Sequence, residues 1–562
     1  MRFGRVLSVL FVICAGLVQA LADQESRVVQ ITSGAVRGYK EDDLFIFYSI
    51  PYATAPTGRN KFKAPLPAPM WLDTFEAVDK HIVCHQSVIF PLPQTSIYQE
   101  DCLIVNVYVP DTEQTKLPVV VYVHGGGYQV GHGNFLTPKA LVKSKKVIAI
   151  TFNYRLGVHG FLCLGTEDVP GNAGMKDQVA LLRWVQKNIA KFGGNPNEVT
   201  IAGYSAGSSA VDLLMLSKST KGLFNKVIPE SGANVAVWSV QINPLKNAKE
   251  FAKTQNFTDI DNLYALEEFY KSASFEVLTS DNFATRPDST FMFVPCVERH
   301  TNTHILLDDA PVNILKSGKY NKVPLLYGFA NMEGLLRVQT GYDLFKDKMN
   351  SKFSDFLPAD LEFESDAQKE EVAKQVKEFY FGDKAIGDKT ILAYIDYFSD
   401  VMFAYPTLRA VKYHAEAGND QVYLYEYSFP EEQLLPKSIQ TQIKGANHCA
   451  QTIAVMDPVT ISDLLPPQNP SEDLLNLKKV TRELWLNFIA TGKPVSSESP
   501  LPSWPPADAL GAPFMSLTMP AKLIDGPLLE NRRRFWDDIY DKHYRAPISP
   551  PPPPPSTTHS EL

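Results

Sequence analysis

Two runs, Leu117 to Val123 (LPVVVYV) and Lys146 to Phe152 (KVIAITF), are apolar and rich in β-branched residues, with no polar alternation. That pattern fits a strand buried on both faces of a sheet, because a half-exposed strand would place every second side chain in water. Both faces must then be covered, and the chain supplies helices for this. Between Asn172 and Phe192, Val179, Leu182, Val185 and Ile189 recur at helical spacing. A short strand at Val199 to Ala202 follows, and another helix begins just after Ser205. Later strands fit Val323 to Tyr327 and Val422 to Phe429, and an amphipathic helix with Leu484, Trp485 and Phe488 fits 473–491. Buried strands alternating with amphipathic helices predict an α/β fold with a mostly parallel central sheet flanked by helices. Residues 27–50 alternate in short runs, as antiparallel strands do. Residues 240–320 and 335–410 read as helical insertions that form a pocket and a lid.

The ends of the chain point to a compartment. Arg2 and Arg5 precede an apolar stretch from Val6 to Val18, and Ala20-Leu21-Ala22 offers a small-x-small cleavage site. Residues 1–22 read as a secretory signal peptide, cut before Asp23. No later stretch reaches the roughly 20 apolar residues of a membrane span. Of six cysteines, Cys14 leaves with the leader. Cys84 and Cys102 are the natural disulfide in an oxidising compartment. Cys163, Cys296 and Cys449 show no metal-type spacing and are expected as buried free thiols. The sequon Asn256-Phe257-Thr258 offers a glycosylation site at Asn256. A net charge of −8 argues against nucleic-acid binding, and Arg532-Arg533-Arg534, set among Glu530, Asp537 and Asp538, reads as a solvated helix face. The tail, 546–562, holds six consecutive prolines, Pro550 to Pro555, and reads as an extended, disordered spacer.

Gly203-Tyr204-Ser205-Ala206-Gly207 is a G-x-S-x-G sequence set between the strand at 199–202 and a helix. A tight strand-to-helix turn pushes such a serine outward, and only small residues fit on either side. The helix N-terminus behind it favours developing negative charge. Upstream, His124-Gly125-Gly126-Gly127 follows the buried strand 117–123 directly. Successive glycines leave backbone N–H groups free to hold the oxyanion of a tetrahedral intermediate. A serine hydroxyl also needs a base, and the base needs a carboxylate. Glu333, in a loop after the strand at 323–327, presents one acid. His448, in Gly445-Ala446-Asn447-His448, is a candidate base; His300, His304 and His414 also lie downstream. These residues, spread from about 124 to 448, cannot be cut into independent domains, so 23–545 is expected to be one domain.

Over about residues 27–540 the chain resembles the type-B carboxylesterases, a family that includes cholinesterases and insect esterases. The resemblance rests on Glu100-Asp101-Cys102-Leu103, HGGG at 124–127 and Asn153-Tyr154-Arg155-Leu156-Gly157. It rests also on GNAGMKDQ at 171–178 and WVQKNIAKFGGNPNEVTIAGYSAG at 184–207. It implies an α/β-hydrolase fold and hydrolysis of neutral, fairly apolar small-molecule esters through an acyl-enzyme, without cofactor or metal. It implies Ser205, Glu333 and His448 as triad and the N–H groups of Gly126, Gly127 and Ala206 as oxyanion hole. It also implies the Cys84–Cys102 bridge and a supporting role for Ser231. The overall character looks like that of an insect esterase.

The chain departs from the family pattern in places. Tyr204 stands where Glu usually precedes the nucleophile, and Gln451 stands where an acid usually lies three residues beyond the base. The loop between Cys84 and Cys102 lacks the tryptophan with which cholinesterases bind a quaternary ammonium, which argues against a choline ester. Juvenile hormone esterases carry Gln before the nucleophile, so Tyr204 counts against that reading without excluding it. Neuroligin-like relatives lost catalysis and serve in adhesion; they usually lack the nucleophile or base and carry a membrane span, whereas all three triad residues stand here. The final His559-Ser560-Glu561-Leu562 resembles a KDEL-type address. Behind a signal peptide it suggests a retention receptor and the lumen of the endoplasmic reticulum, with secretion as the alternative.

Overall fold

The computed structural model describes residues 24–87, 92–280, 286–300, 304–430, 442–458 and 470–553. The expected signal peptide and the final HSEL lie outside them. The main sheet is built from β1 (Ser26–Ile31), β2 (Gly34–Glu41), β3 (Leu44–Pro51), β4 (Ile104–Pro110), β5 (Leu117–Val123) and β6 (Ile148–Phe152). It continues through β7 (Gly194–Tyr204), β8 (Lys226–Glu230), β9 (Leu325–Ala330), β10 (Val422–Tyr427), β11 (Phe514–Leu517) and β12 (Lys522–Ile524). The spatial order is β1-β2-β3-β4-β6-β5-β7-β8-β9-β10-β11-β12, with Phe75–Glu76 pairing beside β2. From β6 to β11 every neighbouring pair is parallel; β1 to β4 and β12 run antiparallel at the margins.

β5 shows why its sequence does not alternate. Val119, Val121 and Val123 join one hydrophobic core, while Val120 and Tyr122 join a second core on the other face. Each face is covered by helices, including α1 (Ala173–Asn188), α2 (Ala206–Leu216) and α3 (Glu472–Thr491). α3 begins where Ser471 accepts from the Leu474 N–H and ends at Gly492 with φ 78°. The strand expected at 199–202 is longer and carries an irregularity between Gly194 and Val199. The later strands sit within two or three residues of their expected places.

Two expectations are corrected. Cys163 and Cys296 are not free thiols: they form a disulfide, with Cα atoms 6.7 Å apart, across 133 residues of sequence. Gly171, at φ +102°, lies against both sulfurs, and a Cβ there would sit 2.6 Å from each. Cys84–Cys102 is bridged as expected, and Cys449 is the free cysteine of the described residues, buried. The arginine run is not simply a solvated face. Arg533 is buried and paired with Asp537 at 2.7 Å. Arg532 reaches across to Asp396 at 2.6 Å and Asp400 at 3.1 Å, leaving Arg534 outside. The tail begins against the body: the Ile548 N–H donates to the Ile242 carbonyl at 3.1 Å, and Pro550 is buried. Among the described residues no helix is long and apolar enough to cross a membrane.

Candidate active site

The parallel strands end along one edge of the sheet; Ser205, Ser231 and Glu333 follow the ends of β7, β8 and β9 closely, and His448 comes later, after β10. β7 passes into α2 at Ser205, whose φ of 54° and ψ of −122° are unusual for a residue with a side chain. The glycines that flank it are forced by contact. A Cβ on Gly203 would lie 2.4 Å from the Gly207 carbonyl oxygen, and one on Gly207 would lie 2.1 Å from that of Val123. The turn is pinned by the Ser205 N–H, which donates to the Glu230 carbonyl at 2.9 Å.

His448 faces Ser205 with Nε2 3.0 Å from Oγ. Its Nδ1 lies 2.5 Å from Glu333 Oε2, so Nδ1 carries the proton and Nε2 is left to accept. Glu333 is fully buried, and its other oxygen accepts from the Ser231 hydroxyl at 2.5 Å and the Ala330 N–H at 2.8 Å. Gln451 donates to Ser231 Oγ at 2.6 Å, so a neutral relay lies behind the acid. The other histidines are elsewhere. His414 is fully buried between the hydroxyls of Tyr320 (2.8 Å) and Tyr327 (3.2 Å), and His300 and His304 are exposed.

Gly125, Gly126 and Gly127 line a cavity of about 310 Å³ together with Ser205 and His448. Gly126 has φ 110° and would clash with the Val130 carbonyl if it had a Cβ. Gly125 lies on the Tyr204 ring, which itself stacks on Tyr122 with centroids 6.0 Å apart. The Tyr204 ring thus fills the space beside Ser205. Burial pushes His124 down to about 3, so it stays neutral, with Nδ1 2.9 Å from the Gly125 carbonyl. The remaining walls are mostly apolar: Leu92, Val130, Phe135, Phe291, Leu336, Met402 and Ile453. Cys449 also lines it, but burial raises its thiol well above the usual range, so it is a protonated wall and not a nucleophile.

Sequence reasoning missed three residues here. Glu230 is fully buried, accepting from Tyr425 at 2.7 Å and Thr452 at 3.0 Å. Phe403 packs its ring 4.4 Å from that of His448. A carboxylate ending the buried strand Lys226–Glu230, just before Ser231, was a readable signal for Glu230. Tyr425 and Phe403, aromatic residues in apolar segments, gave none.

The arrangement is a hydroxyl, an imidazole and a carboxylate in one hydrogen-bonded line, opening on an apolar cavity beside glycine N–H groups. Comparison with known proteins agrees with that chemistry. Residues 25–536 match the model of the carboxylesterase family. A carboxylic ester hydrolase of Bombus ignitus is 31% identical over 507 residues, 87% of this chain and 90% of that protein. A juvenile hormone esterase of Heliothis virescens is 30% identical over 528 residues, 89% of this chain and 92% of that protein. The crystal structure of juvenile hormone esterase from Manduca sexta, with OTFP covalently attached, superposes with a TM-score of 0.81 at 28% identity, covering 92% of this chain and 100% of that one. The fold is the α/β-hydrolase fold, and the chain belongs to the carboxylesterase family as a serine hydrolase of carboxylic esters.

Proposed function

We propose that Ser205 is the nucleophile, His448 the general base and Glu333 the acid that orients it, acting on neutral, fairly apolar esters. The observation that carries this reading is the line Ser205 Oγ, His448 Nε2, His448 Nδ1, Glu333 Oε2 at the floor of the apolar cavity. His448 takes the Ser205 proton as Oγ adds to the ester carbonyl, then gives it to the leaving alkoxide. The N–H groups of Gly126, Gly127 and Ala206 hold the oxyanion. Water, deprotonated by the same imidazole, releases the acid and restores Ser205. Ser205→Ala should abolish hydrolysis of p-nitrophenyl esters without unfolding the protein, and an organophosphate should label Ser205 alone. Full turnover by the variant, or labelling elsewhere, refutes the assignment.

The similarity to juvenile hormone esterases favours a second candidate substrate, juvenile hormone. Turnover of juvenile hormone against p-nitrophenyl esters of increasing acyl length separates the two. The disulfides and the exposed sequon at Asn256 suit an oxidising, glycosylating compartment. We read His559 to Leu562 as an address for a retention receptor. Deleting those residues should then send the protein from the lumen into the medium; equal secretion of the full-length chain contradicts that.

A further inference from the structure

The oxyanion loop, residues 124–131, is held at its closing end by a side chain from outside it. Gln86 lies two residues beyond Cys84, inside the loop closed by the Cys84–Cys102 disulfide. Its Oε1 accepts from the Gly131 N–H at 2.8 Å, and its Nε2 donates to the Gly131 carbonyl at 3.1 Å. The same Nε2 donates to the Cys84 carbonyl at 3.1 Å, which ties the amide to the bridge. Gln86 is buried and forms part of the cavity wall.

Gly131 is the point where a clamp has leverage. At φ +118° it folds back on the start of its own loop, so that a Cβ would lie 2.4 Å from His124 Nδ1 and 2.7 Å from the Gly125 carbonyl oxygen. Next to it, the Val130 N–H donates to the Gly126 carbonyl at 3.0 Å. A shift of Gly131 therefore passes through Val130 to the Gly126–Gly127 peptide, whose N–H is that of Gly127. Asn153 supports the same region independently, donating to the Ile82 carbonyl at 2.9 Å and accepting from the Gly133 N–H at 2.8 Å. The loop thus keeps its general course without Gln86, and only its fine placement is at stake.

We infer that Gln86 is a positioning residue that fixes the oxyanion hole for the transition state, by clamping Gly131 to the disulfide-closed loop. This rests on the reading of Gly126 and Gly127 as oxyanion donors. Donors fixed before reaction act mainly on the transition state, so their misplacement lowers kcat more than it raises KM. The test uses the full-length, oxidised protein. Gln86→Met keeps the volume and removes all three hydrogen bonds. It should lower kcat on p-nitrophenyl butyrate about tenfold, with KM within about twofold of the wild type. An aryl trifluoromethyl ketone, whose adduct with Ser205 mimics the tetrahedral intermediate, should lose affinity by the same factor as kcat/KM.

Gln86→Glu keeps the acceptor for the Gly131 N–H and puts a negative charge beside the developing oxyanion, so its loss in kcat should exceed that of Gln86→Met. Folded Gln86→Met with wild-type kcat and inhibitor affinity, or with a loss confined to KM, overturns the inference. If Gln86→Met does not fold, Gln86→Glu decides alone, and wild-type kcat there overturns it equally. Failure of the underlying reading looks different: the ketone would not attach at Ser205 in the wild type.

Discussion

Ser231 receives a hydrogen bond from Gln451 and gives one to Glu333, while its neighbour Glu230 points the other way, into a pocket of hydroxyls. Burial raises the Glu230 carboxyl to about 7, with the nearby Glu333 adding to the rise and the hydrogen bonds from Tyr425 and Thr452 opposing it. Its folded proton affinity is thus higher than its unfolded one, about 4.3 for a free Glu. The stability it contributes is complete below that unfolded value and is lost as pH rises through about 7, where the buried group must ionise. Gln at this position never ionises. The stability of Glu230→Gln relative to wild type should therefore rise between about pH 4.5 and 7, read as the difference in Tm. A constant difference across that range contradicts the assignment. Residues of this kind are hard to see in sequence, because their meaning comes from Tyr425 and Thr452, 195 and 222 positions away. Ser205 and the glycines around it were legible because the constraint is local: one turn, with no room for a Cβ.

The helix Ile391–Ser399 passes into Tyr405–Glu416 through a wider, π-helical turn, Asp400–Ala404. Such turns insert one residue and re-aim the side chains they carry. Here the Met402 carbonyl accepts from Trp238 Nε1 at 2.8 Å, Met402 lines the cavity, and Phe403 covers His448. Ser399, just before, accepts from the Gly334 N–H at 2.8 Å beside the acid. Asp400 anchors the far side through the Tyr380 hydroxyl at 2.5 Å and Arg532 at 3.1 Å. Phe403→Ala should cost about 3–5 kcal/mol of stability as a large-to-small core change. It should also lower kcat, since the His448 ring loses its packing. Thermal unfolding and steady-state kinetics check the two separately, and an unchanged kcat in a folded variant rules out the positioning role. A reading at 3.6-residue spacing found helices across 335–410 but not this turn, because one extra residue only blurs the period. The strands were clearer. β5 and β6 are buried on both faces, so their composition alone reports their place, while their exact ends depend on neighbours.

At the scale of the molecule, the Cys163–Cys296 bridge joins the segment before α1 to the insertion that supplies Phe291 to the cavity wall. Closing a loop of 133 residues removes chain entropy worth about 5 kcal/mol on the loop-closure estimate. Replacing both cysteines with alanine should lower Tm by many degrees while leaving the triad in place, and calorimetry of the oxidised protein checks it. A variant as stable as the wild type would mean that the bridge adds nothing to a fold already held elsewhere. No spacing rule pairs two cysteines so far apart, so this bridge was invisible where Cys84–Cys102 was not. Ser205 and His448, 243 positions apart, meet only because β7 to β10 lie side by side. In genetic terms, a stop codon anywhere before His448 removes the proposed base outright. A stop shortly after it removes β11 and the helix Glu530–His543, whose Trp536 and Tyr540 are buried in the core. Loss-of-function alleles can therefore arise from truncation almost anywhere along the gene, and truncations that spare activity are confined to the proline run and beyond.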